Sequence, residues 1–246
     1  MEPTVVIVAV AALVTALATG LGALPFALVR RPARSWIGAS NAVAAGFMLA
    51  ASVALVLEGR SYGLVQVAAG ALIGAVGIAV ARRLLAGRDD HAVGSLRGAD
   101  ARRAITIVAV MTAHSFAEGV AVGVSFGGGE SLGIFIALAI AVHNIPEGLA
   151  ISLVLVPRGA SVRQAAAWSV VSSLPQPLMA VPAFLFVEWF DPLLPYGLGF
   201  AAGAMTWLLA AELIPDARAE LRGRVAVAWL AAAFAVMTLV QAVLPR

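Results

Sequence analysis

Two short motifs bring together residue types that bind metal ions. The segment HSFAEG covers residues 114–119, and HNIPEG covers residues 143–148. In each motif a histidine precedes a glutamate by four positions, so the two side chains lie on the same face of a helix. A neutral imidazole nitrogen and a carboxylate oxygen are ligands for zinc and its first-row neighbours. The motifs therefore indicate coordination of a divalent cation by His114, Glu118, His143 and Glu147.

The spacing between the motifs predicts that they face each other. A glycine turn near Gly128 separates two apolar segments, which predicts an antiparallel helical hairpin. His114 lies 14 residues before Gly128, and His143 lies 15 residues after it. At about 1.5 Å of rise per residue, both histidines lie about 21–22 Å from the turn, near the middle of a bilayer. Pro146 removes a backbone donor and predicts a bend of the second helix at this depth.

A purely structural role for these residues is the alternative to a metal site. Two protonated glutamates hydrogen-bonded to the histidines would stabilise the packing of the two helices through interhelical hydrogen bonds. All sixteen basic residues are arginines at helix ends or in loops, so no protein cation is available at that depth. Ionisable groups inside a membrane are costly and mark function. Because two carboxylates and two neutral imidazoles balance the charge of one divalent cation, the sequence favours the metal site.

The composition is that of a membrane protein. Hydrophobic residues make up 62% of the 246 residues and charged residues 12%, against about 25% charged in an ordinary soluble domain. The mean hydropathy is +0.99, and no polar block is long enough to form a separate soluble domain. Cysteine is absent, which excludes thiolate ligands and disulfides. The pI near 10.5 accompanies a net charge of only +3 and scattered arginines, so nucleic acid is not predicted as a partner.

Eight apolar segments are long enough to cross a bilayer, which requires about 20 helical residues each. We therefore predict an all-α polytopic membrane protein whose residues 1–246 form a single transmembrane domain, with a loop at 87–101. The first segment lacks a basic leading region and is too long for the apolar part of a signal peptide. The predicted helices cover residues 4–29, 36–57, 62–86, 102–125, 131–156, 162–187, 195–215 and 223–244.

The arginines predict an orientation for this bundle. Fourteen of the sixteen fall on one side of the predicted helices, and only Arg60 and Arg246 fall on the other. Basic residues accumulate on the cytoplasmic side of a membrane. Both termini and the turn at Gly128 are therefore predicted outside the cell, in a multi-pass protein of the cell membrane, which in a bacterium is the inner membrane. The loop with RDDH at 88–91 is predicted in the cytoplasm, as a solvated loop or a metal-capture segment.

Two repeated patterns bear on helix packing. AAGFM at 44–48 in the second helix echoes AAGAM at 201–205 in the seventh, and these helices run in opposite directions, as an inverted repeat requires. A chance match is the alternative in a chain so rich in alanine and glycine. Glycines four positions apart predict close helix packing, or else a face for a homodimer. They are Gly70 and Gly74 in the third helix and Gly199 and Gly203 in the seventh.

These features resemble the ZIP (ZRT/IRT-like) divalent metal transporters, and most closely their prokaryotic branch. HSFAEG in the fourth helix, HNIPEG in the fifth and AGAMTWLLAAELIPDA in the seventh carry the resemblance, which covers essentially the whole chain. It implies that helices 1–3 and 6–8 are inverted repeats around a hairpin of helices 4 and 5. It also implies a central site that can hold two metals bridged by glutamates, with Asn144 as a second-site ligand. The matching first-site ligands are His114, Glu118, His143 and Glu147.

The chain departs from the family pattern around the second metal position. Ser115 and Ala117 stand in the first motif where the family has asparagine and proline, and Gln176 stands in the sixth helix where it has glutamate. Leu55 and Ala211 replace acidic residues in helices 2 and 7. One metal position is therefore intact, and the second lacks charge. The neutral candidate ligands are Ser115, Asn144 and Gln176, the last with capping of a proline kink as its alternative role.

The sequence favours a transporter that imports divalent metal cations, with zinc first and iron, manganese or cadmium as alternative substrates. The expected partners are these cations and the lipid bilayer, and no cofactor is expected. An intramembrane metal-dependent hydrolase is the alternative, but it needs an open metal position and a separate general base, and HExxH is absent from the chain. We therefore do not expect an enzyme. Glu212, near the inner end of the seventh helix, is either an exit-path ligand or an interfacial charge.

Overall fold

A computed structural model describes residues 4–29, 34–85 and 98–243 of the chain. Over these residues the chain is helical and contains no strand, so the predicted all-α class is confirmed. The RDDH segment, most of the predicted 87–101 loop and the last three residues at each end lie outside the described residues.

Eight helical segments follow one another along the described chain. They are α1 (Val5–Leu28), α2 (Arg34–Gly59), α3 (Leu64–Leu85), α4 (Gly98–Gly127), α5 (Glu130–Leu155), α6 (Val162–Trp189), α7 (Leu194–Glu220) and α8 (Gly223–Val243). Over the described residues, six of them are long and apolar enough to cross a membrane, namely all except α3 and α4. The eight-span count therefore stays a prediction. α4 begins at Gly98, inside the region that the sequence predicted as loop.

Three segments change their backbone path part-way. Proline lacks the amide hydrogen that continues a helical ladder, and a proline follows each of the three breaks. α1 passes through a 3-10 turn at Leu21–Ala23 before Pro25, α6 is broken at Leu174 before Pro175, and α7 contains a π-helical turn at Leu209–Leu213. α5, by contrast, continues as one helix through Pro146.

The α4–α5 hairpin lies at the centre of the helix arrangement. A tight turn joins the two helices, and Gly129 adopts a φ of 119°, which favours glycine. α6 packs along α4, and α1 packs along α5. α2 and α7 pack against each other and against the hairpin, while α8 lies on α2 and α3 lies on α7. The motif helices are therefore enclosed by α1, α2, α6 and α7.

Paired glycines allow α3 and α7 to approach closely. A Cβ atom on Gly74 would lie 2.0 Å from the carbonyl oxygen of Phe200, and one on Gly203 would lie 2.0 Å from that of Ala71. Gly70 and Gly199 make equivalent approaches to the main chain of the facing helix. The predicted close helix packing is confirmed, and it occurs within one chain. A homodimer stays a prediction without support from these glycines.

Candidate metal centre

α4 and α5 bring the four predicted first-site residues into one buried cluster. One ligand atom from each of His114, Glu118, His143 and Glu147 lies within 4.8 Å of the others. None of these side chains is more than 5% exposed. The hairpin therefore unites at one depth the two motifs that lie 29 positions apart in sequence.

Three atoms of this cluster form a nearly equilateral triangle. His114 Nε2 lies 3.3 Å from His143 Nε2, and Glu118 Oε1 lies 3.4 Å from the first of these nitrogens and 3.2 Å from the second. Zinc binds histidine and carboxylate at about 2.0–2.2 Å, so tetrahedral donors around it are about 3.3–3.6 Å apart. The triangle matches three corners of that tetrahedron. An oxygen of Glu147 lies within 4.8 Å of ligand atoms of the other three residues, a looser spacing that makes Glu147 the candidate for the fourth corner once it moves closer.

Each motif ends in a glycine that lets a neighbouring helix reach the cluster. A Cβ atom on Gly119 would lie 2.6 Å from the carbonyl oxygen of Gln176 in α6. A Cβ atom on Gly148 would lie 1.7 Å from the carbonyl oxygen of Thr19 in α1. Ordinary contacts between these atom types are about 3.3–3.6 Å. Glycine at both positions therefore holds α6 against α4 and α1 against α5 at the depth of the ligands.

The two glutamates of the cluster have different surroundings. Glu118 Oε2 accepts a hydrogen bond of 2.7 Å from Gln176 Nε2, while Glu118 Oε1 faces both histidines. Both carboxylate oxygens of Glu147 are buried without a hydrogen-bond partner among the described residues. Burying a charged group without a partner is costly. The arrangement around Glu147 is therefore suited to a cation, which would satisfy its oxygens.

Two amides and a threonine form a second polar layer beside the cluster. Asn144 Nδ2 donates to the main-chain oxygen of Thr15 at 2.7 Å and to Gln176 Oε1 at 3.1 Å. The hydroxyl of Thr15 also approaches Gln176 Oε1, at 2.5 Å, and it lies 2.7 Å from the oxygen of Ala12. All three residues of this layer are buried. The layer connects α1, α5 and α6 to Glu118 through neutral groups.

The remaining sequence candidates lie at different places around this layer. Ser115 is fully buried, and its hydroxyl has no hydrogen-bond partner among the residues that the structure describes. Leu55 is buried in the apolar core of α2. Glu212 is 8% exposed and lies in the π-helical turn of α7. Metal ligation by Ser115, Asn144 and Gln176 stays a prediction.

Sequence reasoning missed Thr15. It lies in an apolar run of α1 and looks like an ordinary small residue of a membrane helix. The available signal was its spacing from Thr19, which places both on one face of α1. Because no histidine or carboxylate lies near these two threonines in the sequence, their spacing alone does not indicate that Thr15 lies beside the cluster.

Comparison with known proteins identifies the family. The ZIP Zinc transporter family model matches residues 85–241, which is more than half of the chain. The chain belongs to the ZIP family. A ZIP relative, zinc transporter GufA of Myxococcus xanthus, is 34% identical over 222 residues, which are 84% of this chain and 87% of GufA. Zinc transporter ZIPB of Bordetella bronchiseptica is 31% identical over 239 residues, which are 89% of this chain and 75% of ZIPB.

A plant relative is more similar in sequence but much longer. A candidate zinc transporter of Arabidopsis thaliana is 49% identical over 216 residues, which are 87% of this chain. The match spans only 35% of the length of the plant protein. The resemblance to ZIP proteins stated from the sequence motifs, including bacterial ones, is confirmed.

Proposed function

We propose that this ZIP protein imports divalent metal cations, with zinc first, through the cluster of His114, Glu118, His143 and Glu147. The observation that carries the proposal is the triangle of two imidazole nitrogens and one carboxylate oxygen with tetrahedral spacing. The zinc transporters among the relatives support zinc as the substrate. Iron, manganese and cadmium are alternative substrates, since nitrogen and oxygen donors also bind other divalent metals.

Charge supports a cation as the occupant of this cluster. Glu118 and Glu147 are buried, and no arginine side chain among the described residues forms an ion pair with either. Two carboxylates balance the charge of one divalent cation, and the neutral histidines complete its coordination. A cation at this depth therefore removes the cost of burying both carboxylates. The balance of charge therefore favours metal binding over a purely structural role in interhelical hydrogen bonding.

An inverted repeat around the hairpin is proposed as the basis of alternating access. Gly46 and Gly203 are separated by the same number of positions along the chain as Thr19 and Gln176, so an alignment of the two repeats that pairs the first two residues also pairs the second two. These aligned residues make equivalent contacts. Gly46 lies against the main chain of α8 and Gly203 against that of α3, while Thr19 contacts Gly148 and Gln176 contacts Gly119. The contacts support a pseudo-twofold relation in which α1–α3 correspond to α6–α8 and α4 corresponds to α5.

The orientation of the protein is a further part of the proposal. Fourteen arginines on one side support a cytoplasmic location for that side. Both termini would then lie outside the cell, and a bacterial protein of this kind would lie in the inner membrane. A cation moving from the side of the α4–α5 turn to the arginine-rich side would be imported.

The hydrolase alternative receives no support from the site. A metal-dependent hydrolase needs a free general base beside the metal. Both glutamates of the cluster are used as ligands in the proposed coordination, and the other two ligands are histidines. The relatives are named as zinc transporters. Transport therefore accounts for these residues without an additional catalytic group.

Uptake into proteoliposomes that contain a zinc-sensitive dye tests the proposed function. Wild-type protein is expected to carry zinc inward, while His143→Ala is expected to give the signal of protein-free liposomes. Ser125→Ala is the matched control, because Ser125 is buried in α4 and its hydroxyl donates only to Val122 of the same helix. Equal zinc uptake by His143→Ala and the wild type would refute the proposal.

A further inference from the structure

The two glutamates of the cluster differ in a way that the His–Glu motifs do not explain. Glu118 is held at Oε2 by Gln176, whereas both oxygens of Glu147 lack a hydrogen-bond partner among the described residues. The residue of α1 that corresponds to Gln176 is Thr19. Its hydroxyl pairs with Ser173 at 2.8 Å instead of supporting Glu147. The asymmetry therefore originates in one side chain, the amide of Gln176.

The hydrogen bonds around Gln176 have only one consistent direction. The main-chain oxygen of Thr15 can only accept, so the group of Asn144 that faces it must be the amide nitrogen. The same nitrogen faces Gln176, so the atom of Gln176 on that side must be the oxygen. The amide nitrogen of Gln176 is then directed at Glu118. A backbone carbonyl thus fixes the orientation of two successive side-chain amides.

We propose that Gln176 is a positioning residue that holds Glu118 as a one-oxygen ligand for the transported cation. This inference rests on the proposed function of the cluster. Because Gln176 Nε2 occupies Oε2, only Oε1 of Glu118 is directed at the two histidines. Gln176 acts through Glu118 and not by coordinating the cation, since its own oxygen already faces Thr15 and Asn144. Glu147 remains as the carboxylate without such support.

A double-mutant cycle on zinc affinity tests this assignment. Gln176→Leu is expected to raise the Kd for Zn²⁺ about tenfold, because a charge-assisted hydrogen bond that preorganises a ligand is lost. If Gln176 acts through Glu118, adding Gln176→Leu to Glu118→Gln should change the Kd less than about threefold. Adding Gln176→Leu to Glu147→Gln should again raise the Kd about tenfold. Competition with a zinc chelator in detergent measures all six proteins of the two cycles.

A spectroscopic readout separates positioning from a general effect on packing. The separation between the two carboxylate stretching bands is larger for one-oxygen coordination than for two-oxygen chelation. The zinc-induced infrared difference spectrum of Gln176→Leu should therefore contain a chelating carboxylate that the wild type lacks. Ser172→Ala, one turn earlier in α6, is the control, because its hydroxyl donates to Ser169 of the same helix and has no other hydrogen bond within the described part of the chain. It should leave both the Kd and the spectrum unchanged.

The possible failures are distinguishable. If neither Glu118→Gln nor Glu147→Gln alters zinc binding, the cluster is not the site and the proposed function fails. If both weaken binding but Gln176→Leu adds equally to each, or leaves the Kd and the infrared spectrum at wild-type values, only the role of Gln176 is wrong. Gln176→Met, which keeps the length of the side chain, is measured in parallel. It provides the same comparison if the leucine variant does not fold.

Discussion

Replacing Gly148 by alanine perturbs the site without removing a ligand. The added Cβ atom would lie 1.7 Å from the Thr19 carbonyl oxygen, where ordinary contacts need about 3.3 Å, so α1 must retreat by about 1.6 Å. The main-chain oxygen belongs to a helix and cannot rotate away. Overpacking of this kind costs about 1–3 kcal/mol, and the higher helix propensity of alanine returns about 1 kcal/mol. A net loss of up to about 2 kcal/mol in the free energy of unfolding follows from these values.

The same retreat of α1 breaks the hydrogen bond from Asn144 to the main chain of Thr15. That bond is 2.7 Å long and lies one turn before the clash on both helices. An additional separation of about 1.6 Å takes it beyond hydrogen-bond range. Asn144 then no longer fixes the orientation of Gln176, and the Kd for zinc is expected to rise about tenfold, the equivalent of one buried hydrogen bond.

Thermal unfolding in detergent and zinc titration measure the two effects of Gly148→Ala. Gly223→Ala is the control, because a Cβ atom at Gly223 would meet no atom within 4 Å. The control should keep the wild-type Kd and should not lower the melting temperature. Wild-type values of both quantities in Gly148→Ala would refute the argument that this glycine sets the α1–α5 contact.

Three further predictions concern orientation, coordination and stoichiometry. Single cysteines at Gly128 and Gly94, probed in intact cells with an impermeant thiol reagent, should label at Gly128 only; labelling at Gly94 alone would reverse the proposed topology. Glu147→Ala should remain folded in the membrane but lose zinc uptake, and uptake at the wild-type rate would exclude the cluster from the pathway. Mass spectrometry of purified protein should find about one zinc per chain, because two carboxylates balance only one divalent ion. Gln176→Glu with Ser115→Asn should raise this to about two, whereas a wild-type value near two would contradict the charge argument.

Much of the cluster was predictable because its ligands lie on one hairpin. Helical periodicity places His and Glu four apart on one face, and equal distances from Gly128 place the two motifs at one depth. These are local relations along the chain. The predicted convergence of the four side chains is therefore found in the structure, although their binding of a metal stays a proposal.

The second polar layer was less accessible to sequence reasoning. Thr15, Asn144 and Gln176 belong to three different helices, so their contacts depend on how those helices pack. The sequence indicated Gln176 as a polar residue beside Pro175, but it did not indicate which groups the amide would face. Thr15 is not an unusual residue in an apolar helix. Only the tertiary structure connects it to Glu118 through the two amides.

The boundaries and interruptions of the helices were also only partly predictable. α4 begins at Gly98, although the sequence predicted loop up to residue 101. The sequence predicted a bend at Pro146, which stays a prediction; α5 runs as one helix through that residue, whereas α6 is broken before Pro175. Proline removes one backbone donor in both cases. Whether the helix is interrupted depends on the neighbouring helices, which the residue pattern alone does not describe.

Anomalous diffraction from crystals grown with zinc locates the bound ion directly and so tests whether the four-residue cluster coordinates it. One strong peak is expected about 2.0–2.2 Å from His114 Nε2, His143 Nε2, Glu118 Oε1 and one oxygen of Glu147. In Gln176→Leu the peak should remain at the cluster with Glu118 rotated to offer both oxygens. A zinc peak elsewhere in the bundle, with these four side chains in contact only with one another, would show that the cluster does not bind the metal.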